Sequence, residues 1–411
     1  MQALCIPAFT ITSCLGRGVA PTLAALLEHR SGLVPCDFET VDLDTWIGAV
    51  DRVDDEVIAP ALARFDCRNN RLAQVGLMQD GFADAVRAAI ERHGADRIGV
   101  FLGTSTAGIL QTELAYRERE QRNADVDGPD ALPSWYHYAE THNTYSVADF
   151  VSHWFGISGP AVAVSAACAS SAKVFGNAAR MLASGRIDAA IVGGVDSLCL
   201  TTLYGFRSLE LVSARPAQPY GVDRDGLSIG EAAAFALLER GDGHATNRGD
   251  DDRGRAGALL LVGVGESSDA HHMSSPHPEG LGARLAMEAA LRSASLAPHD
   301  IDYINLHGTA TRNNDAAEDK AVFGLFGRDV PVSSTKGATG HTLGAAGGVE
   351  AVIALLALRE GLIPGGVNTT TVDPSLHSDY RIANSRGDVR RVLSNSFGFG
   401  GANCSLLFAR A

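Results

Sequence analysis

The chain has 411 residues, of which 45% are hydrophobic and 20% charged, with 45 glycines among them. That length exceeds what one hydrophobic core fills, so two large units or one duplicated unit are expected. A formal charge of −14 argues against nucleic acid or an anionic membrane surface as the main partner and leaves only a local basic patch open.

From the start, Met1 to Thr12 is apolar, lacks a positive leading region and runs into Gly16-Arg17-Gly18. It is expected to be a first strand and not a signal peptide. No apolar run reaches membrane-spanning length. The cysteines (Cys5, Cys14, Cys36, Cys67, Cys168, Cys199, Cys404) are an odd, dispersed set without metal-type spacing. Such a set implies reduced thiols in a cytoplasmic protein, with at most one reactive.

Pro21 to His29 has helical periodicity, Asp37 to Pro60 is polar and irregular, and Arg64 to Arg92 reads as one long helix. Asp96 to Leu102 is a buried strand that ends in the small-residue loop Gly103-Thr104-Ser105-Thr106. Gly128 to Tyr145, with Pro133, Trp135, Tyr136 and Tyr138, is an irregular excursion that lines a pocket or interface or simply covers the core. The apolar alternation Val162-Ala163-Val164 then passes through Ser165-Ala166-Ala167-Cys168 into a helical pattern from Ala169 to Ser184. A thiol there meets unpaired backbone N–H groups and the positive end of the helix dipole, both of which favour thiolate. Cys168 is therefore either a nucleophile on a tight strand-to-helix turn or a small core hydrophobe.

Ala232–Leu238 and Ala258–Val264 are expected strands, separated by an exposed Gly/Asp/Arg-rich loop from Gly241 to Gly257. Beyond it the pattern repeats. Asp96 to Thr106 echoes Asp300 to Thr311. The strand–Cys168–helix unit ending at Ile191-Val192-Gly193-Gly194 echoes Val332 to Lys336, His341, a helix at 347–358 and Leu362 to Gly366. Two similar α/β halves, 1–250 and 251–411, are expected, with mixed sheets layered by helices. Pseudo-twofold packing would bring Cys168 and His341 to one site; chance likeness between two α/β units is the competing explanation.

Four stretches carry the chemistry: Cys168-Ala169-Ser170-Ser171, His307-Gly308-Thr309-Ala310-Thr311, Lys336 to His341, and Phe397-Gly398-Phe399-Gly400-Gly401. Together with Asp223 to Gly226, Gly230-Glu231, Asn314-Asp315 and Gly344 to Gly347, and in this order, they resemble the elongating β-ketoacyl-acyl-carrier-protein synthases of the thiolase fold over nearly the whole chain. The resemblance implies a five-layered αβαβα architecture and a homodimer, or a heterodimer with a related ketosynthase or chain-length-factor subunit. It also implies acyl carrier protein as partner, with substrates on its phosphopantetheine and no separate cofactor or metal.

By the same resemblance Cys168 accepts the acyl group, and His307 and His341 stabilise the enolate left by malonyl decarboxylation. Backbone N–H groups of Cys168 and Phe399 hold the oxyanion. Lys336 orders the site, with Glu350 either its partner or a solvated helix residue. Phe399, with Phe397 in the same loop, resembles the gating aromatic. Thr309, Thr311, Ser274 and Ser275 fall where pantetheine is bound, and Thr106 where the acyl pocket is floored. Arg68, Arg71 and Arg207 are docking candidates for the carrier protein, or ordinary solvated arginines.

Ala402 departs from the threonine often found before the loop asparagine. The Asn314-Asp315-Ala316-Ala317-Glu318 run is more similar to type II polyketide and aryl-polyene ketosynthases than to housekeeping fatty-acid enzymes. The expected function is thus decarboxylative condensation for specialised elongation, with housekeeping elongation as the alternative. A non-catalytic chain-length-factor-like subunit would lack Cys168. A degradative thiolase would carry a second catalytic Cys, and Cys404 is followed by Ser405-Leu406. A plant-type polyketide synthase would replace His341 by asparagine.

Overall fold

A computed structural model describes residues 1–123, 132–241 and 257–411. The principal strands are β1 (Leu4–Ser13), β2 (Ile98–Gly103), β3 (Ala161–Val164), β4 (Ala189–Asp196) and β5 (Ala232–Arg240), then β6 (Leu259–Ser268), β7 (Tyr303–Asn305), β8 (Pro331–Ser333), β9 (Arg391–Gly398) and β10 (Ala402–Arg410), with short pairings such as Asp379–Tyr380 at the edge beyond β8. Along the hydrogen-bonded path they run β3-β2-β4-β5-β1 and then β6-β10-β9-β7-β8. The second run read backwards has the connectivity of the first. β2 is parallel to β3 and β4, as β7 is to β8 and β9, and the remaining pairs in each half are antiparallel. The halves join where β1 pairs with β6, Leu4 opposite Leu261.

The helices are α1 (Val19–Leu27), α2 (Arg68–Leu77), α3 (Phe82–His93), α4 (Ile109–Asn123), α5 (Ser146–Phe155), α6 (Ser170–Ala183), α7 (Leu200–Ser208), α8 (Leu281–Ala294), α9 (Arg312–Phe326), the single turn α10 (Lys336–Thr339) and α11 (Ala346–Glu360). α6 and α11 lie between the sheets, sharing a core with Phe101, Val192, Leu261 and Phe408. On the outside, α2, α3 and α5 cover one sheet through Leu72, Phe82 and Phe150. α8 and α9 cover the other through Met287 and Val322. This is the αβαβα layering that the resemblance implied. α11 is buried from Ala346 to Leu358. A helix with almost no polar face can only sit between two layers, and Glu350 is the exception within it.

Two expectations need correcting. The single helix over 64–92 is two, α2 and α3, with Asp80 and Gly81 at positive φ between them. Asp80 is taken out of the helix because its carboxylate caps α1, accepting from Val19 N at 3.0 Å, and accepts from Thr10 Oγ1 at 2.8 Å. Second, the counterpart of β4 is β9, not Leu362–Ile363, which forms only a two-residue pairing with Ser385–Arg386. In the first half a tight turn joins α6 to β4, whereas in the second the segment 361–390 intervenes. The expected junction at 250/251 and most of the Gly241–Gly257 loop lie outside the described residues, as does part of the 128–145 excursion. Among the described residues no helix is long and apolar enough to cross a membrane.

α6 and α11 approach closely because Gly347 faces Ala172. A Cβ on Gly347 would stand 2.6 Å from the Ala172 backbone nitrogen. Gly347→Ala is expected to force the helices apart and lower stability by about 1–3 kcal/mol, read from the urea midpoint. An unchanged midpoint would mean that this contact does not set the helix separation.

Candidate active site

Cys168 is presented by a strained turn. Ala167 has φ 48°, a left-handed conformation that costs an alanine about 1–2 kcal/mol. The chain thereby reverses between β3 and α6. The matching turn in the second half has Gly340 at φ 70° directly before His341. These equivalent positions meet: Cys168 Sγ is 3.0 Å from His341 Nε2. The N–H of Phe399 also donates to the sulfur. Gly398 makes this possible, since a Cβ there would stand 2.8 Å from the Ala166 carbonyl oxygen.

His307 follows β7 and completes the group, its ring 5.3 Å from that of His341 at 84° and 5.9 Å from Phe397. Lys336 donates to the His307 carbonyl at 2.5 Å and reaches its Nδ1 at 3.4 Å. A lysine has only donors, so Nδ1 accepts and the ring proton sits on Nε2, facing the cavity. Glu350 pairs with Lys336 and accepts from Ser396 Oγ at 3.4 Å. Of its two sequence readings, the buried partner is the observed one. Both rings are buried, which together with Lys336 holds their pKa well below the ordinary histidine value. They are neutral donors or acceptors, not cations.

The thiol behaves differently from the sequence expectation. Burial pushes Cys168 up to about 11, while Lys336 and the Phe399 N–H pull it down. The α6 terminus acts in the same downward direction, but desolvation dominates. The resting group is a thiol hydrogen-bonded to a neutral imidazole.

A cavity of about 200 Å³ opens over this group, with Thr309, Thr311, Ser274, Ser275, Phe397 and Phe399 in its wall. Each was expected at the site. Phe399 stacks on Phe206 of α7 at 5.6 Å and 24°. Phe206 is not legible as a site residue from sequence, where a lone aromatic in a helix carries no signal. Three expectations fail or weaken. Thr106 is not in the cavity wall; its hydroxyl bonds Asp196 Oδ1 at 2.9 Å. Arg68 is buried and committed to Glu231 and Asp54, because Glu231 itself is fully enclosed, so it is unavailable for docking. Arg71 is half-buried against Asp66. Arg207 alone is exposed, next in the chain to Phe206, which lines the cavity.

Two carboxylates that sequence reading left without a role hold the backbone of the site. Asp196, at the end of β4, accepts from Ser105 N, Thr106 N and Gly344 N at 2.5–3.0 Å, tying the loop after β2 to the turn before α11. Glu318 on α9 accepts from His307 N at 2.8 Å and Gly308 N at 2.7 Å. Burial raises Glu318 from 4.5 to about 7 against these donors. A carboxyl whose folded pKa is raised binds a proton more tightly in the folded state. Its contribution to stability is present below pH 4.5 and lost as pH rises through about 7. Urea midpoints are expected to fall across that window, and Glu318→Gln to flatten the fall. An identical slope in the variant would assign the dependence to other groups.

The first part of the chain, residues 2–244, matches the family model described as beta-ketoacyl synthase, N-terminal domain, and residues 259–370 match the beta-ketoacyl synthase, C-terminal domain. A 3-oxoacyl-[acyl-carrier-protein] synthase 2 of Vibrio cholerae is 33% identical over 97% of this chain and 96% of its own. The mitochondrial 3-oxoacyl-[acyl-carrier-protein] synthase of Arabidopsis thaliana is 39% identical over 96% and 90% respectively. Among solved structures, a ketosynthase (ApeO) in complex with its chain length factor (ApeC) from Xenorhabdus doucetiae superposes with a TM-score of 0.88 at 36% identity, covering 100% of this chain and 98% of that one. With its mirrored five-strand halves and its Cys–His–His group, the chain belongs to the beta-ketoacyl synthase family of condensing acyltransferases.

Proposed function

We propose that this chain elongates acyl groups on acyl carrier protein by decarboxylative Claisen condensation, with Cys168 as the acyl acceptor. The carrying observation is one sulfur that meets the Nε2 of His341 at 3.0 Å and the N–H of Phe399. The sulfur attacks the acyl thioester of the carrier's pantetheine while its proton passes to His341 Nε2. The departing pantetheine thiolate takes that proton from His341, which returns to the neutral imidazole. The N–H groups of Cys168 and Phe399 receive the oxyanion.

After acylation His341 has to change from acceptor to donor. Its Nδ1 is buried with no hydrogen-bond partner among the described residues, so nothing fixes the tautomer and Nε2–H becomes available. His307 presents Nε2–H from the outset, held by Lys336. The two donors face the thioester oxygen of malonyl-carrier protein. Loss of carbon dioxide places charge on that oxygen, and the resulting carbanion attacks the acyl-Cys168 carbonyl. Cys168 leaves as thiolate and regains a proton. Thr309, Thr311, Ser274 and Ser275 hold pantetheine in the tunnel, and Arg207 offers the carrier protein a cation at its mouth. The proposed steps draw on no separate cofactor. Among the described residues the cysteines form no disulfide, which supports the reading of a cytoplasmic protein.

Cys168→Ala is expected to abolish acylation, seen by intact mass, while malonyl decarboxylation persists. His307→Ala should leave acylation largely intact and cut decarboxylation by roughly 10²–10³-fold, whereas His341→Ala, which removes the proton acceptor for Cys168 as well as one donor, should slow both steps. Wild-type decarboxylation in either histidine variant would remove that residue from the mechanism.

A specialised elongation role is the finer reading. It is favoured by the 36% identity to a ketosynthase that works with a chain length factor and by the polyketide-like Asn314 to Glu318 run. A related subunit would then complete the acyl tunnel. The relatives named 3-oxoacyl-[acyl-carrier-protein] synthase 2 support the housekeeping alternative. Polyene and saturated acyl-carrier proteins of matched length separate the two: faster transfer of the polyene is expected. Equal rates from a fully active homodimer would favour housekeeping elongation.

A further inference from the structure

The three side chains that carry the proposed condensation also form a ligand set for a soft metal ion. Cys168 Sγ and one nitrogen from each of His307 and His341 lie within 4.8 Å of one another, all three residues buried. Among the described residues no other trio of His, Cys, Asp or Glu meets that spacing. In a tetrahedral zinc centre, Zn–S of about 2.3 Å and Zn–N of about 2.0–2.1 Å set S···N near 3.5 Å. The 3.0 Å separation of Cys168 Sγ and His341 Nε2 needs to open by roughly half an ångström, and any separation near the 4.8 Å bound needs to close, so the rings have to shift to admit the ion.

We infer that Cys168, His307 and His341 bind a soft divalent cation, zinc foremost, and that metal occupancy and acylation of Cys168 exclude each other. The inhibitory consequence rests on the proposed role of Cys168 as acyl acceptor; the binding itself does not.

Binding forms one S–Zn and two N–Zn bonds, releases the thiol proton to solvent, and oxidises or reduces nothing. His341 already faces the sulfur with Nε2, and its unpartnered Nδ1 can carry the ring proton. His307 has to move its proton from Nε2 to Nδ1. That gives up the 3.4 Å contact from Lys336 and turns an N–H toward its ammonium, a cost set against the metal bonds, while the ammonium keeps the His307 carbonyl at 2.5 Å and its ion pair with Glu350. The fourth position opens on the cavity, where a water or a pantetheine thiol can complete the tetrahedron.

Two features oppose the ion: the Lys336 charge next to the site and the cost of ionising a buried thiol. Both make the site reversible rather than a permanent structural centre. One thiolate and two imidazoles select zinc and cobalt over magnesium and calcium.

The test uses the full-length protein, freed of metal. Titration with Co²⁺ is expected to give one ion per chain with a sulfur-to-cobalt charge-transfer band, displaced by Zn²⁺ and absent with Mg²⁺. Cys168→Ala should abolish the band, and His341→Ala should weaken binding by about tenfold or more. Stoichiometric Zn²⁺ should protect Cys168 from iodoacetamide, and protein already alkylated there should not bind. A band of unchanged affinity in Cys168→Ala, or an alkylation rate indifferent to zinc, overturns the inference. Acylation by an acyl-carrier protein in metal-free buffer is scored separately. A protein that acylates but ignores zinc sinks the metal site alone, and one that binds zinc but never acylates sinks the condensation reading alone.

Discussion

The contact on which the rest depends is the packing of α6 against α11. Each helix follows a turn with a residue at positive φ, Ala167 in one half and Gly340 in the other. Sandwiched between two sheets and separated at one point only by Gly347 and Ala172, the helices bring their preceding turns into contact. Cys168 and His341, 173 positions apart in sequence, end with sulfur and nitrogen 3.0 Å apart. No local propensity produces that distance. It follows from duplication, since two copies of one α/β unit facing each other place equivalent turns on a common axis.

Around this contact the backbone is held by buried charge. Asp196 collects N–H groups from the loop after β2 and from the turn before α11, and Glu318 collects those of the loop after β7. Lys336 and Glu350 form an ion pair that is 2% exposed on both sides. Pairs of this kind contribute little net stability against an apolar replacement, yet breaking one leaves a stranded charge that costs about 3–5 kcal/mol. Their value here is geometric. The lysine fixes which nitrogen of His307 carries its proton, and so the direction in which that proton points.

The electrostatic balance differs from that of a permanently ionised cysteine site. Desolvation outweighs the helix terminus and the nearby lysine, so Cys168 rests as a thiol and the neutral imidazoles form a dry, uncharged pocket. Such a pocket gains most from its N–H donors when charge develops on a substrate oxygen, because little competing solvent remains. Its ligand atoms, one soft sulfur and two imidazole nitrogens, are of the kind that zinc prefers, while the same dryness opposes ionising the thiol.

The sequence alone determined the motifs, their order and the duplication. Small residues around Cys168, glycines flanking His341 and the Phe397 to Gly401 loop carry local conformational demands that chemistry makes readable. Pairing two strands or two side chains far apart in sequence is another matter. Period-2 alternation reveals strands but not their places in a sheet, so Leu362–Ile363 reads as the counterpart of β4 in the second half when β9 holds that place. A helical stripe from Arg64 to Arg92 could not reveal that Asp80 is claimed by the N-terminus of α1. Arg68 and Thr106 looked available because nothing local announces Glu231 or Asp196 as their partners. Whether Glu350 faced Lys336 or water, and whether burial or the helix dipole governs Cys168, depended on how two sheets close around the helices. Those outcomes are set by long-range burial, which only the tertiary structure decided.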